Sequence, residues 1–174
     1  GPLQEVDEEI LGKVRRAYGT VGDLIERHRQ RAAIAEAMSV VGEVNKYVSA
    51  TEPFKLKAPE ERERLGTVLH VLAQAVSDLN RILSPFLPHA ANRVHQVLGG
   101  QGEFMPMPRS ERVQDLDDAE RVYLVITGAY DRTPAWASVP VQPGTVIAKP
   151  APVFTKLDDE VVHAERARLG LPTA

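Results

Sequence analysis

The sequence has no cysteine, which excludes a disulfide framework and thiolate metal sites. No apolar run approaches the roughly 20 residues needed to cross a bilayer, and no signal-peptide pattern opens the chain. A cytoplasmic protein without a membrane partner is therefore expected. Aromatics are only 5% of residues, so the core must close on aliphatic side chains. There is no excess of positive charge. The formal net charge is −3, which argues against a strongly basic nucleic-acid binder. The deficit lies in the last part of the chain. Residues 1–100 carry 13 Lys and Arg against 13 Asp and Glu, whereas residues 101–174 carry 8 against 11. Any RNA contact must then be a local patch.

What is present suits one globular domain with a structured tail. The chain has 174 residues, 43% apolar and 26% charged. Gly1-Pro2 resembles the scar of a tag-removal protease and is set aside. From Asp7 to about His28, Ile10, Val14, Ala17, Val21 and Leu24 recur at helical spacing, with Asp7 as the expected N-cap. Gly19 and Gly22 interrupt that helix. Ile34, Ala37/Met38, Val41, Val44 and Val48 form a second stripe running to Ser49, stopped by Thr51-Glu52-Pro53-Phe54. A third helix is expected from Pro59, with Leu65, Val68/Leu69, Leu72, Val76, Leu79 and Leu83 as its stripe, closed by Pro85 and Pro88. A fourth spans roughly His89–Leu98 and ends at Gly99-Gly100.

Beyond Gly100 the chain becomes proline-rich, from Pro106 through Pro152. A short strand is expected at 122–127 and a last helix at 158–169. Phe104, Trp136, Val146, Ile147, Val153 and Phe154 are the expected anchors of a tail draped over the bundle. The organisation expected is a helical bundle over 7–100 and an irregular tail over 101–174. The overall expectation is an all-α fold.

Three stretches resemble a known family. Glu43-Val44-Asn45-Lys46-Tyr47, leading to Glu52-Pro53-Phe54-Lys55-Leu56-Lys57, is similar to a helix ending in Asn-basic-Tyr followed by an acidic residue, Ala-Pro-Trp and a lysine-bearing segment. Leu83-Ser84-Pro85-Phe86-Leu87-Pro88, with Leu98-Gly99, resembles the hinge between the last two helices of class I anticodon-binding domains. Lys149-Pro150-Ala151-Pro152-Val153-Phe154-Thr155-Lys156-Leu157-Asp158 is similar to a signature near the end of the methionyl-tRNA synthetase core. In this order the three resemble the C-terminal, anticodon-binding end of a bacterial methionyl-tRNA synthetase, of high-GC type by its Ala-, Arg- and Val-rich composition. They cover about residues 7–160.

The resemblance implies an antiparallel helical bundle with a wrapping tail and a short C-terminal helix. It implies the anticodon stem-loop of methionine tRNA as partner, together with a catalytic domain of the parent chain that uses ATP with Mg. Bases of a single-stranded loop are splayed out and stacked on aromatics. Phe54 stands where the family has Trp. Asn45, Lys46, Lys55 and Lys57 are its companions as candidate anticodon contacts. Arg27, Arg29 and Arg31, beside His28, form the densest basic cluster and are candidates for the tRNA backbone. In the family an Asn/Arg-bearing helix that also reads the anticodon precedes the first helix seen here.

No catalytic or metal site is expected in the chain. The His-x-Gly-His and Lys-Met-Ser-Lys-Ser signatures are absent, and His28, His70, His89, His95 and His163 show no metal-ligand spacing. Two rival readings remain at this stage. One is a free-standing synthetase-like module for protein interaction or regulation. The other is the anticodon domain of another class I synthetase, against which the Lys-Pro-x-Pro-x-Phe segment speaks.

Overall fold

A computed structural model describes residues 1–118, 120–128 and 134–170; parts of the expected 101–174 tail therefore lie outside the described residues. Three long helices form an antiparallel bundle: α1 (Glu5–Glu26), α2 (Gln30–Thr51) and α3 (Arg62–Leu83). The shorter α4 (Pro88–Val97) packs on α3. A two-stranded antiparallel hairpin, β1 (Arg109–Gln114) and β2 (Val122–Thr127), and a terminal helix, α5 (Asp159–Arg168), complete the described elements. The fold is helical with a wrapping tail, plus one hairpin of which only the second strand was expected.

The core lies between α1, α2 and α3. On α1 the expected stripe is inward: Ile10, Val14, Ala17 and Val21 are buried. On α2 the expected stripe is rotated. Ile34 is 41% and Met38 52% exposed, while Ala33, Ala37, Val40, Val44 and Tyr47 are buried. Alanines at the contact let α1 and α2 approach closely, and this outweighs the larger residues next to them. On α3, Leu69 and Val76 are exposed, whereas Val71, Ala75 and Ile82 are fully buried.

The helix ends also differ from expectation. Asp7 is not the N-cap of α1. It sits one turn in, where its carboxylate accepts the backbone N–H of the capping residue Gln4 at 2.8 Å. Pro59 opens a 3-10 turn, Pro59–Glu61, before α3 begins at Arg62. Glu61 Oε2 accepts from the backbone N–H groups of Lys57 and Ala58 at 3.0 and 2.9 Å. Pro88 does not close α3. It starts α4, where its missing N–H costs nothing.

The tail is held less by apolar plugs than by polar side chains reaching its backbone. Gln74 donates to Val139 O at 3.0 Å and accepts from Val141 N–H at 2.8 Å. Arg81 donates to Ala135 O, and Asn92 receives the N–H groups of Phe104 and Met105 at 2.7 Å each. Arg93 donates to Val153 O at 3.1 Å. Trp136 and Phe104 do act as anchors, on Tyr18 and under Arg81 respectively. Val146, Ile147 and Phe154, expected as anchors, are exposed.

Candidate nucleic-acid interface

α2 separates the candidate residues into two groups. Its 22 residues make a rod of about 33 Å at 1.5 Å per residue. Asn45 and Lys46 lie in its last turns, and Phe54, Lys55 and Lys57 follow its end. Arg27, Arg29 and Arg31 lie at the α1–α2 turn, at the other end of the rod. About 21 Å of helix separates Arg31 from Asn45, the nearest members of the two groups along α2.

At the first end, α2 stops because Pro53 cannot continue it. Glu52 turns into the left-handed region at φ 39°, and Pro53–Lys55 forms a single 3-10 turn. A glutamate in that conformation costs about 1–2 kcal/mol, and strain of this kind gathers at binding sites. The Phe54 ring at the tip is 63% exposed, so it does not plug the core. Beside it a groove of about 660 Å³ is lined by Leu56, Lys57, Arg62, Leu65 and Leu69, among others.

The lysines here are not equivalent. Lys55 Nζ pairs with Glu52 at 2.7 Å, and Lys46 Nζ with Glu43 at 2.6 Å. Glu43 also takes Lys13 at 2.8 Å, and hydrogen bonds from Lys13 and then Lys46 hold its carboxyl down to about 2. Among the described residues Lys57 has no ion-pair partner. The same is true of the exposed Arg27, Arg29 and Arg31, which flank His28 at φ 58°. Asn45 is exposed, and its backbone carbonyl accepts from Ser49 Oγ. An exposed aromatic with a little free positive charge suits stacking of a base better than electrostatic capture of a duplex.

Residues 7–130 match the family model described as the anticodon-binding domain of tRNA ligase. The chain belongs to this family. The anticodon-binding-domain chain is 57% identical over 169 residues to a protein named methionine–tRNA ligase from Nocardioides sp.. It is 56% identical over 172 residues to one of the same name from Beutenbergia cavernae. Each alignment covers 97% of this chain and 28% of the relative, so the chain spans little more than a quarter of their length. In fold it is similar to a crystal structure of free Mycobacterium tuberculosis methionyl-tRNA synthetase, with TM-score 0.68. That match covers 91% of this chain and 27% of the other, at 19% identity.

One feature of the domain is not foreshadowed by the sequence. Asp7 is fully buried and is bound by Arg64, Tyr47 and the Gln4 N–H. Burial alone would push its carboxyl up. The hydrogen bonds from Arg64, Tyr47 and Gln4 outweigh this and hold it at about 2. Burial, and then Asp7 itself, push the Tyr47 phenol up. Tyr47 belongs to the Asn-Lys-Tyr stretch, which was read only as part of the family resemblance. No helix of the described residues is long and apolar enough to cross a membrane.

Proposed function

We propose that the chain is the C-terminal, anticodon-binding part of a bacterial methionine–tRNA ligase, and that the Phe54 end of the bundle receives the CAU loop of methionine tRNA. The observation that carries this reading is the exposed Phe54 ring, raised on a strained Glu52-Pro53 turn in a chain of the anticodon-binding family. A loop base stacks on Phe54, Asn45 offers an amide to a base edge, and Lys57 meets a phosphate. Lys46 and Lys55 join once RNA competes with their glutamates. Arg27, Arg29 and Arg31 take the tRNA backbone further along, at the other end of α2 from Phe54.

The parent ligase works in the cytoplasm. Its catalytic domain, a partner of this one, uses ATP with magnesium to activate methionine. Among the described residues there is no set of three or more His, Cys, Asp or Glu able to hold a metal ion. No step of activation is assigned to them.

The test is fluorescence anisotropy with two RNA stem-loops, one carrying CAU and one with those three bases changed. The expected result is tighter binding of the CAU loop, with the difference lost in Phe54→Ala. Equal binding of both loops by the unaltered chain, with a protein captured instead, overturns the reading in favour of an interaction module.

A further inference from the structure

We propose that Asp7, Arg64 and Tyr47 are positioning residues that fix the Phe54 loop for RNA; this rests on the tRNA-binding reading above. Both oxygens of the buried Asp7 carboxylate are fully used. Oδ1 accepts from Tyr47 Oη at 2.5 Å and from Arg64 Nη2 at 2.9 Å. Oδ2 accepts from Arg64 Nη1 and from the Gln4 N–H. The clamp thus ties the start of α1 to two specific places. Tyr47 is one turn before the end of α2, and its carbonyl takes the hydroxyl of Thr51, the last residue of that helix. Arg64 is in the first turn of α3.

Between those two points runs the loop that carries Phe54, Lys55 and Lys57. No residue from Thr51 to Glu61 is buried. The loop has local ties, Lys55 to Glu52 and Glu61 to the Lys57 and Ala58 N–H groups, but none of them reaches the core. Its two 3-10 turns lean on the first turns of α3, so its position follows from how the start of α3 is set against the end of α2. Apolar packing can hold helix ends together but tolerates rotation and sliding, whereas a forked guanidinium on a carboxylate fixes direction. Apolar residues of equal volume could hold these helix ends about as stably; what they would not supply is the fixed geometry of this clamp.

If loss of the clamp leaves the loop in its binding position about a tenth of the time, the apparent Kd rises about tenfold. The probe is the CAU stem-loop RNA, with the chain as wild type, Tyr47→Phe, Arg64→Lys, Phe54→Ala and the Tyr47→Phe/Phe54→Ala double variant. Tyr47→Phe keeps the ring and removes one hydroxyl, so it stays folded even if Arg64→Lys does not. The expected results are weaker binding by Tyr47→Phe and faster amide exchange at Phe54–Lys57, with the α1–α2 turn unchanged. In the Phe54→Ala background Tyr47→Phe should have a clearly smaller further effect, because a misplaced loop then withholds only Lys55 and Lys57. A role in global stability alone predicts additive losses. Additive losses, or wild-type binding by Tyr47→Phe when Phe54→Ala is weakened, overturn the proposal. Equal binding by wild type and Phe54→Ala overturns the tRNA reading itself, and the proposal with it.

Discussion

The indole Nε1 of Trp136 donates a hydrogen bond to the carbonyl of Tyr18 at 2.9 Å, and the two rings meet edge to face at 5.6 Å. The pair joins tail and bundle across 118 residues of sequence. It also accounts for Gly22, where an added Cβ would lie 2.9 Å from the same Nε1.

Two substitutions to alanine in one helix should therefore act in opposite directions. Gly19 has open space around it, so Gly19→Ala should stabilise by about 0.5–1 kcal/mol through helix propensity. Gly22→Ala gains the same term but displaces the indole, and overpacking of this kind costs about 1–3 kcal/mol. Urea unfolding measures both. Trp136 is the only tryptophan, so its fluorescence should shift to the red in Gly22→Ala and stay put in Gly19→Ala.

Asp78 is the second point of the same clasp. Almost fully buried, it accepts from Tyr18 Oη, Gln74 Nε2 and Ser138 Oγ at 2.9, 3.0 and 2.9 Å. Asp78→Ala strands these donors and should cost about 3 kcal/mol, whereas Tyr18→Phe removes a single bond and should cost about 1 kcal/mol. Comparing the two by urea denaturation checks the ratio.

Stability should fall on the acid side because of Asp7. Its folded carboxyl is held at about 2 against an ordinary 3.8. A depressed value means that the unfolded chain takes up the proton first as pH falls. The contribution, about 2 kcal/mol, is complete above about pH 5 and is lost as pH drops from 4 towards 2. Thermal melts across that range should show the loss. Asp7→Asn should be less stable at pH 7 and flatter with pH, and an unchanged slope in that variant would locate the effect elsewhere.

Phe54 should separate binding from stability. Its ring is mostly in solvent, so Phe54→Ala should leave the melting temperature within a degree or two. Loss of one stacked base costs about 1–3 kcal/mol, roughly 5- to 150-fold in Kd. Phe54→Trp should bind at least as well as wild type. Melts and anisotropy on the same samples decide.

The arginine turn should act through salt. Replacing Arg27, Arg29 and Arg31 by alanine should weaken binding of full-length methionine tRNA and make it less salt-dependent. The logarithmic slope should fall by about 0.7–0.9 for each phosphate no longer neutralised. The stem-loop alone should respond less. Titrations at several salt concentrations measure the slope.

Much of this architecture was legible where one physical signal acted alone. Ile10, Val14 and Val21 are large aliphatics of one α1 face, and all three lie in the core. The prolines marked the breaks between helices, though Pro88, expected to close α3, begins α4 instead. α2 and α3 carry apolar residues on more than one face, and which face turns inward depends on how closely the helices approach. Ala33, Ala37 and Ala75 are wholly buried for that reason, while Met38 and Leu69 are not.

The polar parts were the least legible. β1 reads Arg-Ser-Glu-Arg-Val-Gln with every residue exposed, and only its pairing with β2 makes it a strand. Asp7 had the sequence character of a cap, since nothing local to it reveals a guanidinium 57 residues away. Phe54 was legible through resemblance, and the structure adds that its ring is free.

The most direct measurement is chemical-shift mapping of the chain titrated with the CAU stem-loop. The largest changes should fall at Asn45 and at Phe54–Lys57, at RNA concentrations where a stem-loop with an altered anticodon leaves them unmoved. Changes confined to the β1–β2 hairpin, or identical responses to both RNAs, would contradict the proposed RNA site.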